Sequence, residues 1–150
     1  MTLERALSRG IGCRDDRTGG AKRAPVRGGR PKHLLLGEMG ERIAAKYLAD
    51  KGYEVLANNV RLRCGEIDII AREGDELVFV EVRTRSIGVV LPADRTVGPD
   101  KLRKLVRAAR TWTEGRCYGG FWRIDLIAIT ITEDNKIEIE HLSDITEGIT

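Results

Sequence analysis

Two short stretches decide the fold of this chain: Gly65-Glu66-Ile67-Asp68-Ile69-Ile70 and Phe79-Val80-Glu81-Val82-Arg83. In both, charged residues alternate with branched apolar residues, and this period of two predicts β-strands. Gly74-Asp75 lies between the stretches, and a Gly-Asp pair is typical of a two-residue hairpin turn. The sequence therefore predicts an antiparallel β-hairpin with charged side chains along one face.

A turn at this position fixes which residues face each other across the hairpin. Asp68 is predicted to lie directly opposite Glu81, and Glu66 opposite Arg83. Alternation puts these four side chains on one face and places four apolar ones on the other: Ile67, Ile69, Val80 and Val82. Opposed carboxylates repel each other across a sheet, and a divalent cation would remove that repulsion. Mg²⁺ or Mn²⁺, which bind carboxylate and phosphate oxygens, would suit this patch to phosphodiester hydrolysis.

A simpler interpretation of the hairpin is a pair of solvated strands, in which Glu66 and Arg83 form an ordinary cross-strand ion pair. This interpretation does not explain why acids stand inside runs as apolar as 67–71 and 77–82. A β-bulge would shift the register and separate the acids. The metal-site hypothesis therefore depends on the register of this hairpin.

The remaining segments surround the hairpin with helices and further strands. Apolar residues recur at helical spacing within 37–51 and within 102–112, so both segments are predicted to be helical. β-prone runs lie at 53–57 and 60–62, separated by Asn58 and Asn59 as a turn or bulge, and at 122–131 and 136–141. The order helix, three strands, helix, two strands (αβββαββ) indicates an α/β fold with a mixed β-sheet flanked by helices.

The second predicted helix is basic on the sides that its apolar residues leave open: Lys101, Arg103, Lys104, Arg107 and Arg110. Such a helix can lie along a phosphate backbone and hold DNA beside an acidic site. An amphipathic helix with a solvated charged face is an equally simple alternative. Trp112 continues the apolar stripe and is predicted to be a core residue rather than a platform for base stacking.

Residues 1–33 form a predicted disordered basic arm, and residues 34–150 form the predicted folded domain. The first 32 residues contain nine Lys or Arg, three Asp or Glu and no aromatic residue. So polar a segment buries too little apolar surface to offset its loss of conformational entropy on folding. The arm could add affinity for phosphates, or it could be only a solubilising extension.

The composition of the chain narrows its class. Its length of 150 residues is that of a single domain. Of these residues, 41% are hydrophobic and 33% are charged. No apolar run approaches the roughly 20 residues that cross a membrane. The three cysteines are widely spaced without a CxxC motif, so neither a disulfide framework nor a zinc site is indicated. These features predict a cytoplasmic protein with no membrane partner.

A few residues elsewhere carry structural expectations. Asp125 is expected to form a structural ion pair with Arg123. Three aromatic residues are expected to anchor the last strands in the core, with base stacking as the alternative: Tyr118, Phe121 and Trp122. Two isolated histidines are expected on the surface: His33 and His141.

The hairpin motifs, together with others in order along the chain, resemble the YraN-like family of small bacterial proteins. The motifs are Gly37-Glu38-Met39-Gly40-Glu41, Gly52-Tyr53, Asn59, Gly65-Glu66-Ile67-Asp68, Phe79-Val80-Glu81-Val82-Arg83-Thr84-Arg85 and Arg123-Ile124-Asp125. The resemblance covers about residues 36–130. It implies a restriction-endonuclease-like fold within the PD-(D/E)xK nuclease superfamily, near Holliday-junction resolvases.

The resemblance also implies roles for individual residues. Asp68 and Glu81 would occupy the two metal-binding acid positions, and Glu41 on the first helix would be an additional acidic member. Beyond the resemblance, the hypothesis of a metal-dependent nuclease gives Glu66 the role of tuning or extending the site and Arg83 that of contacting the scissile phosphate. Nucleic-acid contacts would come from the basic helix and the end of the hairpin, through Lys101, Arg103, Lys104, Arg107 and Arg85.

Position 83 departs from the family pattern, which ends in Glu-Val-Lys where this chain has Glu81-Val82-Arg83. The resemblance assigns that lysine to positioning or activating the attacking water. A guanidinium can bind phosphate, but it stays protonated and cannot act as a base. Lys101 could supply an ammonium group from another element.

Two functional hypotheses follow from these residues. The first is a Mg²⁺- or Mn²⁺-dependent nuclease acting on DNA in repair or recombination, with branched and single-stranded DNA among the candidate substrates. The second is a nucleic-acid-binding module that keeps the nuclease fold without catalysis. A third hypothesis, a structural or protein-interaction domain, leaves the carboxylates unexplained.

Overall fold

The computed structural model describes residues 32–86 and 97–147. Within these ranges the elements are α1 (Lys32–Asp50), β1 (Glu54–Leu62), β2 (Gly65–Glu73), β3 (Glu76–Ser86), α2 (Pro99–Gly115), β4 (Trp122–Ile131) and β5 (Ile137–Leu142). The predicted order αβββαββ is confirmed, and it is the order implied by the resemblance to restriction-endonuclease-like proteins. The predicted basic arm lies outside the described residues, apart from Lys32 and His33.

Helix α1 begins at Lys32, five residues before the predicted start at Gly37. Leu34 and Leu35 in its first turns are about half exposed. The apolar residues of this first turn do not form a stripe that faces the core. The sequence therefore lacks the 3.6-residue apolar period that would have predicted the extension. No helix in the described part of the chain combines the length and apolar character needed to cross a membrane.

The five strands form one mixed sheet in the order β1-β2-β3-β4-β5. Strands β3 and β4 pair in parallel, and every other neighbouring pair is antiparallel. A parallel pair needs a crossover connection, and helix α2 lies in the segment that joins β3 to β4. Strand β3 is therefore central: β2, joined to it by the hairpin turn, lies on one side, and β4, which follows α2 in the chain, lies on the other.

The two helices contribute to separate hydrophobic clusters. Ala44 and Leu48 of α1 cluster with residues of β2, β3 and β4: Ile69, Ala71, Val78, Val80, Ile127 and Ile129. The apolar stripe of α2 clusters with a second set of buried side chains: Ile67, Ile70, Leu77, Phe79 and Ile124. Trp112 is 3% exposed and makes an edge contact with Phe79, so the prediction of a core tryptophan is confirmed.

The predicted register of the β2–β3 hairpin is confirmed for the half next to the turn. Pairing runs from Glu73 opposite Glu76 to Ile69 opposite Val80. Gly74 has a φ of +58°, a left-handed conformation that glycine adopts without strain. The two-residue turn therefore forms where the Gly-Asp pair predicted it.

The prediction that Ile67 and Ile69 share one face of the hairpin is wrong. Ile67 packs in the α2 cluster, whereas Ile69 packs in the α1 cluster. The alternation is interrupted at Asp68, the residue between them. In the neighbouring strand β1, Asn59 has a φ of +51°, so the backbone of both strands departs from regular pleating at this level.

Strand β1 also differs from the prediction of two runs separated by a turn or bulge at Asn58 and Asn59. It is a single strand across both asparagines, and its register shifts between Val55 and Ala57. Asparagine tolerates the left-handed conformation better than most residues. The left-handed Asn59 thus interrupts the regular pleating of β1 without ending the strand.

Gly40 is the point of closest approach between α1 and β3, and this contact provides a stability test. A Cβ atom on Gly40 would lie 2.7 Å from the Cβ atom of Thr84. Gly40→Ala is therefore expected to lower the free energy of unfolding by about 2 kcal/mol through overpacking. Gly37→Ala is the matched control, because no atom lies within 4 Å of its added Cβ.

The measurement is urea denaturation of both variants. For Gly37→Ala, the better helix propensity of alanine predicts a gain of up to about 1 kcal/mol. Equal stability of the two variants would show that α1 can move away from β3 at no cost.

Candidate functional site

Asp68 lies where the backbone pairing of β2 with β3 stops. Its Oδ2 accepts a hydrogen bond from the backbone N–H of Val82 at 2.8 Å. The side chain of Asp68 thus takes a donor on β3 beyond the last paired residues, Ile69 and Val80. This bond holds the half-buried carboxylate of Asp68 beside Glu81.

Glu81 is a nearly buried carboxylate on β3, with 5% of its surface exposed. Its Oε1 lies 3.2 Å from Nζ of Lys101 and 3.4 Å from Nε of Arg83. Its Oε2 is buried and has no hydrogen-bond partner among the described residues. An unsatisfied buried carboxylate oxygen is costly, and a cation bound at Oε2 would remove this cost.

Burial and the neighbouring Glu81 raise the proton affinity of Asp68. Burial and the negative charge of Glu81 raise the pKa of Asp68 to about 6, and the Val82 N–H and the Lys101 charge only partly oppose this. The ionised form of Asp68 is therefore less stable in the folded protein than in the unfolded chain, although it still predominates at neutral pH. A cation bound between these carboxylates would remove the penalty.

Asp68 and Glu81 lie at the buried end of the acidic patch, and the charge of Glu66 also contributes to the raised pKa of Asp68. Glu66 is exposed, and its Oε2 lies 3.8 Å from Nε of Arg61. The alternative in which Glu66 pairs with Arg83 is not what forms, because Arg83 contacts Glu81. In the described ranges, no group of three or more His, Cys, Asp or Glu side chains is arranged to hold a metal ion. Mg²⁺ is commonly bound by only one or two protein carboxylates. Water molecules and substrate phosphate oxygens complete its coordination shell.

Glu41 approaches the carboxylate pair from helix α1. Burial raises the pKa of the Glu41 carboxyl, a hydrogen bond from Asn59 opposes this, and the charges of Asp68 and Glu66 add to the rise. These effects require Glu41 to lie within electrostatic reach of the two hairpin acids. The first helix and the hairpin therefore bring acidic side chains near one another, and a role for Glu41 in a metal site stays a prediction.

A cleft of about 420 Å³ lies between α1 and β1, next to this acidic site. Its lining is polar apart from one alanine: Glu38, Glu41, Arg42, Ala45, Asn58 and Asn59. Glu41 belongs both to the cleft and to the surroundings of Asp68. Sequence reasoning did not indicate this cleft, because it depends on how α1 packs against the sheet.

Helix α2 supplies the basic surface near the site. The exposed side chains are those of Arg103, Lys104, Arg107 and Arg110, whereas Lys101 points its ammonium at Glu81. Arg103 also forms an ion pair with Asp100 in the first turn of the helix. Arg85 is half-buried near the end of β3. Contact of these residues with nucleic acid stays a prediction.

A second polar cluster lies around the buried carboxylate of Asp125. The predicted ion pair is confirmed, because Nε of Arg123 lies 2.9 Å from Oδ1 of Asp125. The expectation of a surface His141 is wrong. Its side chain is 11% exposed, and its Nε2 lies 2.8 Å from Oδ2 of Asp125. An acid inside a run as apolar as 124–131 was the available signal that such partners exist.

The aromatic residues near β4 divide between core and surface. Trp122 is half-buried and makes an edge contact with Phe79, and the hydroxyl of half-buried Tyr118 donates to the backbone oxygen of Phe121. Phe121 itself is 85% exposed, so its predicted place in the core is wrong. Phe121 contributes to the structure through its backbone rather than its ring, because its carbonyl oxygen also accepts a hydrogen bond from the N–H of Leu77.

Fold and site together define a mixed α/β protein of order αβββαββ, with a carboxylate pair on adjacent strands and a basic helix beside it. The chain belongs to the family described as "Uncharacterised protein family UPF0102", whose sequence profile matches residues 40–129. This is the YraN-like family that the motifs indicated, and that prediction is confirmed.

Relatives named UPF0102 protein match most of the chain. The one from Geotalea uraniireducens is 42% identical over 119 residues, which are 79% of this chain and 94% of the relative. The one from Anaeromyxobacter dehalogenans is 41% identical over 116 residues, or 75% and 84% of the two chains. The one from Geobacter sulfurreducens is 40% identical over 124 residues, or 82% and 97%.

Proposed function

We propose that this protein is a Mg²⁺- or Mn²⁺-dependent nuclease that cleaves phosphodiester bonds in DNA. The observation that carries the proposal is the buried Oε2 of Glu81, which has no donor among the described residues and lies beside Asp68. A buried carboxylate oxygen without a donor, beside a second carboxylate whose pKa is raised by burial and by the first acid, is an arrangement that a bound cation would stabilise. Such an activity fits the predicted cytoplasmic location.

Asp68 and Glu81 would hold the metal ion. The ion would supply Lewis-acid stabilisation of the phosphate and a more acidic bound water. Asp68 keeps one carboxylate oxygen for the Val82 N–H, which orients the group. Lys101 and Arg83 neutralise Oε1 of Glu81 and so hold its other oxygen in place.

The cations beside Glu81 also suit the substrate. Arg83 presents a guanidinium, which binds phosphate through several N–H donors. It stays protonated and so cannot act as a base. Lys101 adds a compact ammonium from helix α2 at 3.2 Å from Glu81. The exposed basic residues of α2 would hold the backbone on either side of the scissile bond. The arm of residues 1–33 would add further phosphate affinity.

A second candidate function is a nucleic-acid-binding module without catalysis. The observation that favours it is Arg83. A guanidinium stays protonated and cannot act as a base, whereas the lysine of the family pattern can lose its proton. Both candidates place nucleic acid on the same basic surface. They differ in whether the carboxylate pair binds metal and whether bound DNA is cut.

Metal binding is tested by thermal unfolding with and without Mn²⁺. At a concentration one hundredfold above the dissociation constant, linkage stabilises the folded state by about 2.7 kcal/mol, roughly 10 °C in the midpoint. Asp68→Asn is expected to abolish this rise. Without metal at pH 7.5, the same variant is expected to be more stable than the parent, because it lacks the unfavourable ionised carboxylate.

The pH dependence follows from the raised pKa of Asp68, about 6 in the folded protein against an ordinary value of 3.8. A raised carboxyl pKa favours the folded state at low pH, and this contribution is lost as the pH rises from about 4 through 6. Protons also compete with metal for Asp68. The Mn²⁺-induced rise should therefore be larger at pH 7.5 than at pH 5.5, and an unchanged midpoint at both values contradicts the metal site.

A further inference from the structure

The cleft between α1 and β1 is lined by both hydrogen-bond donors and hydrogen-bond acceptors. Asn58 and Asn59 carry amides that donate and accept, Glu41 accepts, and Arg42 donates. Ala45 gives the cleft a small apolar wall. A flat ring with mixed donors and acceptors along its edge matches this lining, and nucleobases have that chemistry.

The backbone of Asn59 is held in an unusual conformation at this cleft. Its φ of +51° is the left-handed conformation, and its side chain donates to Glu41. Regular pleating at this level is lost in both β1 and β2, between Ile67 and Ile69. Non-glycine residues in this sparsely populated conformation collect at ligand sites, where the surrounding structure holds them for function.

Glu41 connects the cleft to the proposed metal site. It lines the cleft together with Asn59, and Asn59 lies across from Asp68, because the flanking residues Asn58 and Val60 pair with Ile69 and Ile67. The basic helix α2 packs in the other hydrophobic cluster, away from α1. A strand whose phosphates lie along α2 would have to turn a base out of its stack to reach the α1 side. Only an unpaired nucleotide can do so at low cost.

We infer that the α1–β1 cleft receives the base of an unpaired nucleotide next to the scissile phosphate. The inference rests on the proposed nuclease function and narrows its substrate to DNA with a bulged, flapped or single-stranded nucleotide. Paired DNA would still bind through its phosphates, because those contacts do not read the base.

The test measures binding to three labelled duplexes of equal length by fluorescence anisotropy, in EDTA and at one fixed salt concentration. The duplexes are fully paired, carry one extra unpaired adenosine, or carry an abasic residue at the bulge. The parent is expected to bind the adenosine bulge about tenfold more tightly than the other two. The abasic duplex separates recognition of the base from recognition of bent DNA.

Two variants change the cleft in different ways. Asn59→Gly keeps the left-handed backbone and removes the amide, and Ala45→Leu fills the cleft. Both are expected to lose the preference for the bulge while their affinity for paired DNA stays within twofold of the parent. Asn135→Gly is the matched control, because Asn135 also has a left-handed φ, +58°, but lies in the β4–β5 turn.

Equal affinity of the parent for all three duplexes overturns the inference. It is also overturned if both folded cleft variants keep the parent's preference, or if Asn135→Gly loses it as fully as Asn59→Gly does. The nuclease proposal is judged separately, by the Mn²⁺ shift of the thermal midpoint in the same proteins. A parent that prefers the bulge without responding to Mn²⁺ supports the cleft as a binding site and contradicts the metal site.

Discussion

Replacing Asp125 with alanine is expected to lower the free energy of unfolding by about 3–5 kcal/mol, the usual cost of removing one partner of a buried ion pair. Asp125 is fully buried and accepts hydrogen bonds from three directions. The donors are Nε of Arg123 at 2.9 Å, Nε2 of His141 at 2.8 Å and the backbone N–H of Asp144 at 2.9 Å. All three lose their acceptor in the variant.

The effect should be large because Arg123 joins several elements. Its guanidinium also donates to Glu73 and Glu76, each at 2.6 Å, and to the hydroxyl of Tyr53 at 3.1 Å. These residues belong to the β2–β3 turn and to the segment before β1. Asp125 thus orients a side chain that ties the hairpin turn to β4.

The loss is expected to depend on pH. Burial raises the pKa of Asp125, but the hydrogen bonds from His141, Arg123 and Asp144 outweigh burial and hold its pKa below the usual value. A depressed carboxyl pKa stabilises the folded state above the unfolded value of about 4, and the contribution is lost as the pH falls through the folded pKa. The difference between parent and variant should be full at pH 7 and shrink below about pH 4.

Urea denaturation at pH 7 and at pH 3.5 measures this difference. Asp134→Ala is the control, because Asp134 forms an exposed ion pair with Lys136 at 3.9 Å. Exposed pairs of this kind contribute about 0.5 kcal/mol or less. If Asp125→Ala costs no more than Asp134→Ala, the buried cluster does not stabilise the fold.

Glu81→Gln is expected to reduce Mg²⁺-dependent DNA cleavage at least a hundredfold under the proposed function. The amide keeps the size of the side chain and removes the charge that would hold the ion. Metal ions contribute several kcal/mol to such reactions, and each 1.4 kcal/mol is about a factor of ten in rate. DNA binding in EDTA should change little, so a loss of cleavage with retained binding is the result that identifies a metal ligand.

Substitutions of the two cationic residues beside Glu81, Arg83 and Lys101, distinguish the nuclease from the non-catalytic binding module. If cleavage needs a lysine at position 83, Arg83→Lys is expected to increase Mg²⁺-dependent cleavage and leave DNA affinity roughly unchanged. If the Lys101 ammonium already serves the site from α2, the parent should cleave and Lys101→Met should slow it. Absence of cleavage by the parent and by Arg83→Lys, on paired and unpaired DNA and RNA with either metal, would favour the binding module.

The half of the hairpin next to its turn could be predicted because its signals are local. Alternation and the Gly-Asp pair are read within a few residues, and they determine pairing from Glu73–Glu76 to Ile69–Val80. The break at Asp68 could not be predicted in this way. It accompanies the left-handed Asn59 in a neighbouring strand, and strand pairing depends on the whole sheet.

The amino-acid sequence by itself determined the element order, the family and the central acids Asp68 and Glu81, because periodicity and ordered motifs are properties of the chain. Tertiary structure alone decided what surrounds those acids. Lys101 reaches Glu81 only because the apolar stripe of α2 packs on the sheet. His141 reaches Asp125 only because β5 pairs with β4. Contacts between distant segments depend on packing, which no local pattern records.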